Sequence, residues 1–281
     1  MTLWRTLLLA AVTTAALVRA DPVPLPRTHA HNDYEHKRPL FDALDQGFCS
    51  VEADVYLVNG ELLVAHNRAD VKPQRTLQAL YLDPLRERFK RFGGHIYPEL
   101  GTQPVLSQPL AANAPRVEFT LLVDIKTDGA AVYRKLQSLL PEYREMLTRF
   151  TPTSTMPGAI TVILSGDRPR DLVAADPARW CALDGLLTDL ATNPPVHLVP
   201  LISESWRPTF NWFTDGKIST ADQTKLRDLV QRTHAQGRRL RFWGVQDQPY
   251  VWSELHAAGV DMINTDKLTE LAAQLHRTAP H

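Results

Sequence analysis

The feature of this chain that most limits its fold is a repeated alternation. Short apolar runs give way to amphipathic stretches with a period near 3.6, again and again along the sequence. Runs at 27–31, 50–57, 118–126, 159–165, 185–188, 197–203, 240–245 and 261–265 read as strands. Stretches at 40–46, 76–91, 130–149, 220–236, 249–258 and 267–277 read as helices, the fourth bounded by Ser219 or Thr220 as N-cap and by Gly237 after its last turn. Eight strand-then-return units predict an α/β fold, a single (β/α)8 TIM barrel with its active site at the C-terminal ends of the strands. A doubly wound open sheet is the competing arrangement. No glycine-rich dinucleotide or Walker loop follows any of the runs, so that arrangement lacks its usual function. Residues 67–116 are the main insertion, placed to cover one end of the barrel.

Charge and cysteine content narrow the function. The 281 residues carry 31 Lys plus Arg against 31 Asp plus Glu, and this balance leaves no field to hold a polyanion, which excludes nucleic-acid binding by bulk electrostatics. The two cysteines, Cys49 and Cys181, cannot form a disulfide framework or a Cys-rich zinc module, and nothing in their spacing pairs them. Residues 1–20 combine a short basic start, an apolar run over 6–18 and small residues at Val18 and Ala20, and they read as a signal peptide. The run is too short to span a bilayer, although an uncleaved N-terminal anchor is the other reading. The expected organisation is a signal over 1–20 and one barrel domain over 21–281, exported to the periplasm or medium, monomeric, with at most peripheral membrane contact.

In a parallel barrel the chemistry gathers where the strands end. The first run ends in His29-Ala30-His31-Asn32. The second carries Glu52-Ala53-Asp54, turns at Asn59-Gly60 and returns to His66. The third ends Asp124-Ile125-Lys126. Side chains two apart on a strand share a face, so Glu52 points with Asp54 and Asp124 with Lys126. Three carboxylates meeting in an apolar mouth repel one another unless a cation sits among them, and oxygen-only ligands suit Mg²⁺ or Ca²⁺. Asn32 offers a further amide oxygen. His31 and His66 supply a proton acceptor and a proton donor, and Lys126 a point charge for a phosphate oxygen, unless Asp124 and Lys126 form a plain strand-end ion pair. What raises these residues above solvated rim groups is their joint placement at one end of one barrel.

The block running from His29-Ala30-His31-Asn32-Asp33-Tyr34 through 39–44 to Val51-Glu52-Ala53-Asp54-Val55 resembles the phosphatidylinositol phospholipase C-like phosphodiesterase superfamily, which includes glycerophosphodiester phosphodiesterases and sphingomyelinase D. It is most similar to the altered-inheritance-of-mitochondria branch. The resemblance extends over nearly the whole chain after the signal, including 242–245 and 259–266. It implies a metal-dependent phosphodiesterase. His31 and His66 would be its catalytic pair, Glu52, Asp54, Asp124 and Asn32 its metal ligands, and Lys126 and Trp243 its substrate contacts. Its substrate would be a small-molecule or lipid phosphodiester, such as a glycerophosphodiester, lysophospholipid or phosphoinositide. Glycerophosphodiesterases typically follow the first His with Arg-Gly, whereas this chain has Asn32-Asp33, a departure that weighs against a glycerophosphodiester among those candidates.

Other readings of the same residues stay open. His29-x-His31 also suits a zinc amidohydrolase-like barrel, although that class needs imidazoles at the ends of the fifth and sixth strands, and a barrel that binds metal or ligand without turnover is the non-enzymatic alternative. The aromatic segment 204–213 either grips an apolar tail or membrane surface, or simply caps the rim. Ser165 and Ser203 end strands and read as polar lining.

Overall fold

The computed structural model describes residues 21–98, 117–210 and 217–278. Its strands are β1 (Thr28–Ala30), β2 (Ser50–Val58), β3 (Glu61–Val64), β4 (Phe119–Ile125), the two-residue β5 (Arg149–Phe150) and β6 (Thr155–Met156), β7 (Ile160–Gly166), β8 (Cys181–Gly185), β9 (Leu201–Ser205), β10 (Arg239–Trp243) and β11 (Ile263–Thr265). Eight of them pair side by side in the order β10, β9, β8, β7, β4, β2, β1, β11, each neighbouring pair parallel. A parallel bridge between Arg241 and Met262 brings β10 back to β11, so the sheet is a nearly closed barrel.

The connections place helices outside the barrel. They are α1 (Phe41–Leu44), α2 (Asp83–Arg91), α3 (Gly129–Leu139), α4 (Arg170–Ala175), α5 (Asp189–Thr192), α6 (Trp206–Thr209), α7 (Thr220–Ala235), α8 (Pro249–Ala258) and α9 (Leu268–Thr278). Ser219 caps α7 by accepting from the Asp222 amide at 3.0 Å, as the sequence suggested. No described helix is long and apolar enough to cross a membrane.

Parity along the strands decides what lies inside. Outward residues such as Val51, Ala53, Val55, Leu121 and Val123 join the large core under the helices. The inward-facing Leu122, Ile163, Leu201 and Met262 form a separate apolar plug within the barrel. Two residues further along the same strands and the same face stand Asp124, Ser165, Ser203 and Asn264, so the polar layer lies directly on the plug.

Four elements depart from the sequence expectation, β9 among them, since it runs Leu201–Ser205 instead of starting at 197. The fifth barrel strand is Cys181–Gly185 instead of 185–188. Leu186 and Leu187 gave the apolar signal, but Leu186 is exposed and follows the strand, and the inward parity belongs to Ala182 and Asp184. The stretch 130–149 is helical only to Leu139, because Pro141 lacks an N–H and the chain continues as a 3-10 turn, Leu140–Tyr143. The stretch 76–91 opens with a π-helical turn, Gln78–Leu82, before Pro84 enters the first turn of α2. In the insertion, Tyr81 reaches Asp33 and Tyr97 reaches the carbonyl of Phe48, so its described part runs along the barrel's flank. Residues 99–116, and the question whether they cover an end, lie outside the described residues.

Candidate active site

Register brings the acids together. On neighbouring parallel strands Asp54 pairs with Asp124, and Asp124 with Ser165, so these three side chains stand level. Glu52 lies one inward step below Asp54 on β2. Carboxylate oxygens of Glu52, Asp54 and Asp124 all lie within 4.8 Å of one another, two of the three residues buried. The set is oxygen-only and hard in character, which suits a divalent cation. Gly166 makes room for it, because a Cβ there would stand 2.6 Å from Asp124 Oδ1.

Two cationic side chains balance the acids. Lys126 Nζ lies 2.7 Å from Asp54 Oδ2 and 3.1 Å from Asp124 Oδ1. Arg241 is buried below, donating from Nε to Asn264 Oδ1 at 2.8 Å and from a terminal nitrogen to Glu52 Oε2 at 3.5 Å. Burial pushes the Glu52 carboxyl upward most strongly, but the Arg241 charge together with His29 and His31 outweighs it, and Glu52 is held well below the usual carboxylate range. Asp54 is shifted the other way. Burial raises its carboxyl further than Lys126 and Tyr34 lower it. Burial likewise opposes the charge on Lys126, yet contact with Asp54 and Asp124 leaves its ammonium more strongly protonated than usual.

The imidazoles flank this group. His31 follows β1 and places Nε2 3.7 Å from Glu52 Oε2 and Nδ1 2.8 Å from Asp266 Oδ1. Burial lowers its affinity for a proton, but the Asp266 hydrogen bond and the Glu52 charge prevail, so it is raised. His66 arrives on the return of the β2–β3 hairpin, whose turn has Asn59 and Gly60 at φ +51° and +83°. Its Nδ1 stands 3.2 Å from Asp54 Oδ2. Asn32 links His31 to Tyr34, its amide 2.9 Å from His31 Nδ1 and 2.7 Å from the Tyr34 hydroxyl. Trp243 shares the inward parity of Arg241 and stands 46% exposed at the rim.

Some residues of the site went unnoticed in the sequence. Arg241 was legible, since the parity that turns Trp243 inward also turns the residue two before it. Tyr34 was not, because it lies in a 3-10 turn, Asp33–Glu35, beyond any strand periodicity. Asp184, on the corrected β8, is buried in the barrel, and burial raises its carboxyl to about 6. By contrast His29 is wholly buried, its Nδ1 2.7 Å from Ser50 Oγ, and burial together with Arg241 lowers it to about 4. The ends of β8 and β9 supply no imidazole, and His197 precedes β9 and contacts Arg179, so among the described residues the zinc amidohydrolase arrangement has no ligand set. Trp206 and Phe210 are buried, stacked at 4.1 Å and edge-on to Phe242, which makes this part of the aromatic segment a packed cap. Trp212 and Phe213 lie outside the described residues. Cys49 and Cys181 are free, buried thiols.

The barrel, with carboxylates clustered at the C-terminal strand ends, has the fold of the glycerophosphodiester phosphodiesterase-like TIM barrels. Two solved glycerophosphodiester phosphodiesterases share the fold. One, from Agrobacterium tumefaciens, has a TM-score of 0.50 at 15% identity over 90% of this chain and 100% of its own. The other, from Parabacteroides distasonis, reaches 0.52 at 15% identity over 92% and 99%. Within that class the chain belongs to the family of the AIM6-like phosphodiesterase domain, whose family model matches residues 17–181. The glycerophosphoryl diester phosphodiesterase family matches at 239–269. Among curated relatives, Altered inheritance of mitochondria protein 6 of Eremothecium gossypii is 30% identical over 90% of this chain and 70% of its own length. The homolog of Arthroderma benhamiae is 28% identical over 87% and 82%.

Proposed function

We propose that the protein is a metal-dependent phosphodiesterase in which Glu52, Asp54, Asp124 and Asn32 hold one divalent cation, Mg²⁺ or Ca²⁺, and His31 and His66 exchange protons with a phosphodiester substrate. The observation that carries this reading is the meeting of three carboxylates within 4.8 Å between two imidazoles. When bound, the cation polarises a phosphate oxygen and makes a neighbouring hydroxyl more acidic. One imidazole takes the proton of the attacking hydroxyl and the other returns a proton to the leaving alkoxide, each contributing about 10²- to 10⁴-fold in rate. Lys126 neutralises a phosphate oxygen. Trp243 offers a flat apolar wall at the rim. Attack by a hydroxyl of the substrate itself gives a cyclic phosphate, and attack by water gives a phosphomonoester.

The substrate is a small-molecule or lipid phosphodiester. The names of the solved neighbours support glycerophosphodiesters, while Asn32-Asp33 in place of Arg-Gly supports a different headgroup, so lysophospholipids and phosphoinositides belong in the same screen. ³¹P NMR of the purified protein with these substrates, Mg²⁺ or Ca²⁺ added or chelated, should show a cation-dependent monoester or cyclic phosphate. His31→Ala and His66→Ala should each slow its appearance by about 10²- to 10⁴-fold. Absence of turnover with every divalent ion, or full activity in His31→Ala, removes the assignment. Residues 1–20 are proposed to direct export, and the intact mass of exported protein should then begin at Asp21.

A further inference from the structure

Tyr34 ties together three residues of the site without facing the solvent. It is 3% exposed. Its hydroxyl lies 2.6 Å from Asp54 Oδ2, 2.7 Å from Asn32 Oδ1 and 3.1 Å from His66 Nδ1. The turn that carries Tyr34 is anchored, because Arg75 of the insertion donates to the Tyr34 carbonyl, and the neighbouring Asp33 carboxyl accepts from both the Leu40 amide and the Tyr81 hydroxyl.

One phenol proton must serve three neighbours, and that restricts where protons sit. An ionised carboxylate accepts only, so the shortest contact, Tyr34 to Asp54, takes the phenol proton. The orientation of the Asn32 amide does not alter this. With its oxygen toward Tyr34, that oxygen is a second acceptor for the same proton. With its nitrogen toward Tyr34, the amide donates to the phenol oxygen. In both arrangements Tyr34 has no proton left for His66. The second neighbour of His66 Nδ1, Asp54 Oδ2 at 3.2 Å, is also an acceptor. Hence Nδ1 is the nitrogen that carries the hydrogen.

We infer that Tyr34 is a positioning residue: with Asp54 it locks His66 in the Nδ1–H tautomer and in one ring orientation, leaving Nε2 as the nitrogen that meets substrate. This rests on the proposed role of His66 in proton transfer and adds to it the group that holds the imidazole. The same hydroxyl couples His66 to Asp54, so the imidazole and the acid group are fixed as one unit. A histidine oriented through its far nitrogen by a hydrogen-bonded partner recurs in catalytic sites, where loss of that partner costs about 10- to 100-fold in activity.

The tautomer can be read without substrate. Side-chain ¹H–¹⁵N correlation spectra of ¹⁵N-histidine-labelled protein, taken at mildly alkaline pH with His66→Gln identifying the resonances, should show His66 with its hydrogen on Nδ1. Tyr34→Phe keeps the ring and removes only the hydroxyl. It should convert that pattern to a mixture of tautomers and, with a phosphodiester that is turned over, lower kcat by about 10- to 100-fold while KM stays within about twofold. An Nε2–H tautomer in the wild-type protein overturns the inference whatever the variant does. So does a Tyr34→Phe protein with wild-type His66 resonances. If the tautomer shifts as expected but no phosphodiester is cleaved, the positioning stands and the proposed activity falls.

Discussion

Arg241 and Glu52 form an ion pair 3% and 7% exposed, and a pair so buried matters most through what its loss leaves behind. A carboxylate stranded in the barrel costs about 3 to 5 kcal/mol when its partner is removed. Arg241→Met should therefore lower stability by about that much at neutral pH, measured by urea unfolding in the presence of chelator so that no bound cation compensates. The sign with pH follows from Glu52. Its folded pKa lies below that of the unfolded chain, so the wild-type pair stabilises above the unfolded value, about 4.3, and the contribution is lost as pH falls through the folded value. In the variant, only His29 and His31 are left to oppose burial, so the Glu52 carboxyl rises from its wild-type position. The gap between the two proteins should then narrow steadily toward acid pH. A gap independent of pH would mean that Arg241 acts by packing, not by charge.

Each strand that builds the site must end where its neighbour permits. The end of β7 runs beside the end of β4, with Ile125 in register with Gly166. Gly166 has φ +66°, and a Cβ there would collide with the Ile125 carbonyl and stand 2.6 Å from Asp124 Oδ1. Gly166→Ala must strain the backbone, at about 1 to 2 kcal/mol, and push Asp124 away from Asp54 and Glu52. The expected outcome in calorimetric titration is a divalent-cation affinity weaker by about 10- to 100-fold in a protein that still folds. Unchanged affinity would show that Asp124 is no ligand. The β2–β3 hairpin does comparable work for His66, because its turn returns the chain antiparallel and Ala65 N donates to the Asp54 carbonyl at 3.2 Å.

At the scale of the molecule, the barrel brings Glu52, Asp54 and Asp124 together, and the proposed cation would stabilise that arrangement by binding only the folded state. Mg²⁺ or Ca²⁺ at 100 times its Kd should add about 2.7 kcal/mol of stability, roughly 5 to 10 °C in Tm. Chelator should reverse this, and Glu52→Gln should abolish it. A Tm indifferent to every divalent ion would argue against a metal site. Much of this was legible in the chain alone. The alternation of periods specified the barrel, and strand parity turned Glu52 with Asp54 and Asp124 toward one face, because those are local rules of backbone geometry. The sequence misplaced β8, where Leu186 and Leu187 mimicked a strand and hid Asp184. Only the tertiary structure decided the rest. Arg241 lies 189 residues from Glu52 and Asp266 lies 235 from His31, separations that no local pattern spans. Tyr34 reaches Asp54 and His66 from a turn with no periodicity to point it. The Arg241–Glu52 and Asp266–His31 contacts exist because closing the barrel brings its first and last strands together, and closure is a property of the whole sheet, not of any stretch of sequence within it.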